Sequence, residues 1–227
     1  MFHVIGLDLG ESNDHSAVTV LEVEPKQHLI VRPGHDAEYG RAADIGSVIE
    51  GLPLTYRCRH LERLPLHTPY PEVVEHVGKL LGRFRDRPML AVDATGVGRG
   101  VVVMLEFAGL EPTPITITGG LTVTLLNGFL HVPKRELVFA LLTAVQENRF
   151  HVAKGLSAAG ALLHELESFR VKITKAANER FESATESDHD DLVMAIAIAA
   201  WLAEYVVNAS LVDEHVPAGE PVSINGY

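Results

Sequence analysis

A single thiol, Cys58, is all the cysteine in 227 residues. No internal disulfide and no cysteine-rich zinc site can form, and a reducing compartment suits the chain. Long apolar runs are also missing. The longest, Leu192 to Ala203, stops short of the roughly 20 residues of a membrane span and reads as a buried helix. The opening Met1-Phe2-His3-Val4-Ile5-Gly6 has neither a basic segment nor a cleavable apolar stretch, so no signal peptide is expected. A soluble, cytoplasmic protein without membrane association is the expectation. Positive charge is scarce, with 19 Lys and Arg against 30 Asp and Glu and a formal net charge of −11. That excludes a broadly basic surface, so a groove for a phosphate backbone has to be local or completed by a partner. The phosphate-loop pattern Gly-x-x-x-x-Gly-Lys-Ser/Thr is absent as well.

What is present suffices for one large core, since 47% of residues are hydrophobic. Residues 1–207 read as one domain. The remainder, 208–227, carries Pro217, Gly219, Pro221 and Gly226 without periodicity and reads as a loosely ordered tail. Strands are expected over Val4 to Leu9 and Ala17 to Val23, joined at the turn-forming Gly10 to Asp14, and a third over Thr55 to Leu64 after a long connection. Apolar spacing of three and four predicts a helix from Pro71 to Phe84. Pro88 to Asp93 reads as a strand, followed by the turn Thr95-Gly96-Val97-Gly98, a helix to Ala108 and a strand over Pro114 to Thr118. Such a succession implies parallel pairing. Gly119 to His131 reads as irregular. Helices follow over Pro133 to Asn148 and Ser157 to Phe169, then a hairpin of Phe169 to Ile173 with Arg180 to Ser183, and a last helix from about Asp188 to Val207. The sum is an α/β fold, a mixed sheet flanked by helices.

Acidic residues stand out against this frame. Alternation in Val-Ile-Gly-Leu-Asp places Asp8 on the face of Gly6, opposite Ile5 and Leu7. Asp93 ends Met-Leu-Ala-Val-Asp in the same way. A carboxylate inside an apolar strand is costly without a partner, although capping of the following turn accounts for either residue alone. Glu186-Ser187-Asp188-His189-Asp190-Asp191 opens an almost wholly apolar helix. Acids there complement the helix dipole, yet one is enough for a cap, and crowded carboxylates repel unless a cation lies among them. Helical spacing puts Asp188, Asp191, Ala195, Ile198 and Leu202 on one face, with Asp191 heading the packing stripe. Convergence of Asp8, Asp93 and Asp191 at one sheet edge would give hard oxygen ligands for one or two divalent ions, Mg²⁺ or Mn²⁺. Such a pair of ions supports phosphodiester hydrolysis without a covalent intermediate.

In this order the segments resemble the nuclease domains of phage large terminases, members of the ribonuclease H-like superfamily with the Holliday-junction resolvases. Gly6-Leu7-Asp8-Leu9-Gly10, with Asn13-Asp14-His15-Ser16-Ala17, is similar to the family's first strand and turn, and Val92-Asp93-Ala94-Thr95-Gly96-Val97-Gly98 to its central strand end. Val132 to Val138 and Leu163 to Phe169 resemble later helices, and His189-Asp190-Asp191-Leu192-Val193-Met194-Ala195 its C-terminal acidic segment. The resemblance spans most of the chain. It implies a metal-dependent DNA endonuclease, with Asp8, Asp93 and one or both of Asp190 and Asp191 as ligands, and the packing stripe favours Asp191 of the two. Met194 stands where some relatives carry a further acid. His189 is an accessory candidate for orienting a ligand or water, with Asp188 beside it, and Lys134, Lys172, Lys175 and Arg180 are candidates for phosphate contact. Implied partners are double-stranded DNA, a separate packaging ATPase, and a portal or small terminase subunit, in the host cytoplasm for a viral protein. The polar segment Thr174 to Glu179 is a candidate gate. Large terminases also carry an ATPase motor, for which this chain has no phosphate loop.

Competing readings are separable. Gly6 to Gly10 also resembles the first phosphate segment of actin-like and sugar-kinase ATPases, but those need two such domains and this chain is too short for both. Gly96-Val97-Gly98 is a near-match to a dinucleotide loop in which Val101 replaces the third glycine. A catalytically silent or partner-activated assembly module of the same fold is the rival from another class; metal-dependent cleavage distinguishes it. Branched against linear duplex substrates distinguishes a resolvase-like nuclease.

Overall fold

β-Branched and aliphatic residues alternating from the N-terminus build an antiparallel meander of β1 (Phe2–Asp8), β2 (Ala17–Pro25) and β3 (Leu54–Arg63). The computed structural model describes residues 1–10, 14–25, 53–173, 179–183 and 190–213, with backbone alone for 168–173, 179–183 and 210–213. The long connection after β2, the candidates Lys175, Asp188 and His189, most of the candidate gate and the end of the tail lie outside the described residues. After β3 come α1 (Tyr70–Leu81), β4 (Met89–Asp93), α2 (Gly98–Phe107) and β5 (Pro112–Thr118). β4 pairs in parallel with both β1 and β5, as the strand-helix-strand succession requires.

The stretch expected to be irregular instead forms a hairpin of β6 (Thr124–Leu126) and β7 (Phe129–Pro133). Its turn is Asn127-Gly128, both at positive φ, the pair that a tight antiparallel turn favours. β7 joins β5 in parallel and leads into α3 (Lys134–Gln146). The short β8 (Phe150–Val152) pairs with β3 and was not expected. Then follow α4 (Ala159–Ser168), the hairpin of β9 (Phe169–Ile173) and β10 (Glu179–Ser183), and α5 (Asp191–Asp213). Among the described residues one eight-stranded mixed sheet runs in the order β6-β7-β5-β4-β1-β2-β3-β8.

Two layers cover the sheet. α1 and α2 bury Val73, Val77, Val101 and Leu105 against Ile5, Leu7, Val18 and Val92. On the other face lies α5, with α3 beside it, over Val4, Leu21, Tyr56, Ala91 and Ile115. α5 is apolar all round because every residue from Leu192 to Ala203 is buried. It starts later and ends later than expected, so residues 208–213 continue the helix rather than open the tail. Its stretch Asp191–Ala209 is long and apolar enough to cross a membrane, yet here protein covers that surface, as in the core helix of a globular domain.

Alanines let α5 approach β1 closely. A Cβ on Gly6 would overlap the Ala195 carbonyl oxygen and press on the Ala199 methyl. Gly6→Ala is therefore expected to destabilise by at least about 1–3 kcal/mol, the usual cost of forcing a methyl into a filled core. Chemical denaturation measures this, and a wild-type midpoint in the variant would show that α5 can move away freely.

Candidate metal centre

The register brings the acids to one corner. Gly6 faces α5, so by alternation Asp8 at the end of β1 faces the same helix just beyond the core. On β4 the residue facing α5 is Ala91, and Asp93 is its next neighbour on that face. Because Leu7 pairs with Val92, the two aspartates end adjacent parallel strands at one level. Their carboxyl groups lie close enough for each to perturb the other. Asp93 Oδ1 also accepts the Thr95 N–H at 2.8 Å, and Thr95 Oγ1 accepts the Ile117 N–H at 2.9 Å, which ties this carboxylate to β5. Gly98 completes the turn: a Cβ there would overlap the Asp93 carbonyl oxygen.

Asp190 and Asp191 arrive at the first turn of α5. Asp190 forms an ion pair with Lys134 at the start of α3, Nζ to Oδ2 2.9 Å. Asp191 is 4% exposed, and Arg63 holds both of its oxygens, Nε to Oδ2 at 2.9 Å and one terminal nitrogen to Oδ1 at 3.0 Å. Arg63 also pairs with Glu165 of α4, whose other oxygen accepts the Val193 N–H at 2.9 Å. Arg63 lies on the same rung as Asp8, through the pairs Asp8 with Ala17 and Ala17 with Arg63.

These surroundings make the corner electrostatically strained. Burial is the main cause that pushes the Asp8 carboxyl well above the usual range; Asp93, Asp190 and Asp191 add to it, and Lys134 opposes it. Burial likewise raises Asp93, against the Thr95 hydrogen bonds, Asp8 and Lys134. A corner that penalises negative charge while concentrating oxygen donors is one that a divalent cation would relieve. The donors are carboxylates, which suits a hard ion.

Sequence reasoning thus named Asp8, Asp93, Asp190, Asp191 and Lys134, and the structure brings all five to this corner. Lys134 turns toward the acids and pairs with Asp190. Lys172 and Arg180 are cross-strand partners on β9 and β10 and so share one face of that hairpin. Arg63 and Glu165 were missed. Glu165 carried a signal: it lies in the stripe of Leu162 and Leu166, where a buried acid calls for a partner.

Burial lifts the Glu165 carboxyl to about 7, with the Val193 N–H and Arg63 opposing and Asp191 and Asp190 reinforcing the rise. A carboxyl raised above its ordinary 4.5 favours the folded state most at acid pH, and that contribution is lost as pH rises through the folded value. Stability should accordingly fall between about pH 5 and about pH 8, by at most about 3 kcal/mol. Glu165→Gln should flatten this window. Denaturation midpoints across the range test it, and the same slope in the variant and the wild type would remove Glu165 as its source.

No known family profile matches the sequence, and no curated protein matches it in sequence. Solved structures do match. The large terminase nuclease from thermophilic phage G20c with bound cobalt superposes with a TM-score of 0.57 at 22% identity, over 88% of this chain and 80% of that one. The HK97 bacteriophage large terminase gives 0.52 at 11% identity, over 88% of this chain but 39% of that one. The manganese-soaked human cytomegalovirus terminase nuclease domain gives 0.50 at 10% identity, over 90% of this chain and 84% of that one. The chain has the α/β, ribonuclease H-like fold of the large-terminase nuclease domains.

Proposed function

We propose that the chain is a divalent-metal-dependent endonuclease that hydrolyses DNA phosphodiester bonds as the cutting part of a packaging terminase. The observation that carries this reading is the half-buried corner of Asp8, Asp93 and Asp190, a set of like charges held together at the ends of two strands and beside the start of one helix. Asp8, Asp93 and Asp190 would hold Mg²⁺ or Mn²⁺. Asp190 is preferred to Asp191 because Arg63 occupies both Asp191 oxygens, whereas Asp190 is half-buried and held only through one oxygen by Lys134. The bound metal would supply an activated water and charge stabilisation at the leaving oxygen.

The protein's own part is positional. Thr95 fixes the Asp93 carboxylate, Arg63 and Glu165 fix the start of α5, and Lys134, paired with Asp190, offsets negative charge at the corner. Lys172 and Arg180, cross-strand partners in the β9-β10 hairpin, would extend a local basic path, as a chain of net charge −11 requires. Weak intrinsic affinity for DNA follows from that charge, and a packaging ATPase and a portal or small terminase subunit would be its partners. The HK97 large terminase is more than twice as long as its matched part.

Supercoiled plasmid incubated with the purified chain in Mn²⁺, Mg²⁺ or EDTA tests the reading. Nicking or linearisation with metal and none in EDTA is the expected result, with linear duplex cut at least as readily as a four-way junction. Absence of cutting under every metal would favour the assembly module, and a strong preference for the junction would favour a resolvase-like enzyme.

A further inference from the structure

A β-bulge in β3 redirects two side chains. Val20 pairs with His60 while its neighbour Leu21 pairs with Cys58, which leaves Arg59 as the extra residue. An extra residue inverts the alternation of all that follows. Before the bulge, Tyr56 and Cys58 face the core beneath α5. After it, Leu61 and Arg63 take that side, and His60 and Glu62 turn to the opposite face, where Val18 and Val20 pack with α1.

There His76 of α1 meets them. His60 Nε2 lies 2.9 Å from Glu62 Oε1, and His76 Nε2 contacts the same oxygen. The three ligating atoms all fall within 4.8 Å of one another. His60 Nε2 is buried and, for all its proximity, makes no directed hydrogen bond. Two imidazole nitrogens therefore crowd one carboxylate oxygen, and of the two only His76 makes a directed hydrogen bond to it. An ion at their centre would give all three a partner. Tetrahedral zinc with bonds near 2.0–2.1 Å sets its ligand atoms roughly 3.3 Å apart, so His60 would draw back from the Glu62 oxygen by a few tenths of an ångström and His76 by about 1 Å.

We propose that His60, Glu62 and His76 form a second metal site, taking zinc or a similar transition ion, which clips β3 to α1 on the face of the sheet away from the acidic corner. Nitrogen donors select against Mg²⁺, so the two sites are separated by ligand chemistry as well as by position. All three side chains are partly exposed, which gives the ion an entry path and leaves water for the fourth position. The site stands whether or not the chain cuts DNA.

The test uses the full chain carrying Asp8→Asn and Asp190→Asn, which weakens metal binding at the acidic corner. Titration with Co²⁺, followed by visible absorption, should show one equivalent with tetrahedral ligand-field bands, displaced by Zn²⁺ and not by excess Mg²⁺. Adding His76→Gln should weaken this binding at least about tenfold and abolish the bands, and His60→Gln should do the same if the first variant folds poorly. Zn²⁺ should raise the melting temperature of the parent and not of these variants. Lack of tetrahedral bands in the parent, or bands that survive in the folded variant, would overturn the site and leave a hydrogen-bonded His-Glu-His cluster.

Discussion

Asp8→Asn is expected to abolish cleavage while raising the melting temperature of the metal-free protein. The same burial that would make Asp8 a ligand makes its charge costly. Its carboxyl is pushed well up by desolvation first, then by Asp93, Asp190 and Asp191, with only Lys134 in opposition. Asparagine keeps the shape, removes the charge and relieves the repulsion, so the metal-free fold gains. A carboxyl with a raised folded pKa contributes fully to stability below its free value and loses that contribution as pH rises through the folded one. The gain from asparagine should therefore be absent in acid and largest on the alkaline side. Cleavage should fall by on the order of 10³–10⁴-fold, as when one member of a catalytic set is removed. With saturating Mn²⁺ the order of melting temperatures should reverse, since only the wild type is stabilised fully by binding. Thermal melts with EDTA and with Mn²⁺, alongside plasmid cleavage, read both halves. A variant that melts below the wild type in EDTA would mean that Asp8 is a structural partner rather than a strained ligand.

Asp8 and Asp93 were legible because each breaks an apolar strand of period two at its end, a pattern that needs no knowledge of the rest of the chain. The same holds for α5, whose uninterrupted apolar run from Leu192 to Ala203 reads as a buried helix. Arg63 was not legible, for a reason that lies in β3. Without the bulge at Arg59, alternation would send Arg63 to the face opposite Tyr56, and nothing local in Cys58-Arg59-His60 announces the inversion. β8 escaped for a related reason: three residues have too little pattern to read, and the strand exists through its pairing with β3. The β6-β7 hairpin differs, since Asn127-Gly128 is a strong local turn signal. It was masked by flanking residues, Thr124 to Leu126, that are all exposed and show no alternation of burial.

Adjacent aspartates at the head of α5 should fail in different ways. Asp190→Asn is expected to remove metal-dependent cleavage and leave the fold near wild-type stability, because Asp190 is partly exposed and its ion pair with Lys134 is worth little in water. Asp191→Asn is expected to cost about 3 kcal/mol, since it leaves the Arg63 guanidinium without the bidentate partner that balances it in a mostly buried cluster. Cleavage by that variant should fall with the folded fraction and with the looser seating of α5, and should recover in part at lower temperature. Arg63→Leu sharpens the contrast. It strips compensation from Asp191 and Glu165 together, so its loss should match or exceed that of Asp191→Asn, and Glu165→Gln in the same chain should restore some stability. Urea midpoints and single-turnover cleavage at two temperatures separate the roles. If Asp191→Asn folds as well as the wild type yet cannot cut, Arg63 releases Asp191 to the metal, and the ligand set becomes Asp8, Asp93 and Asp191.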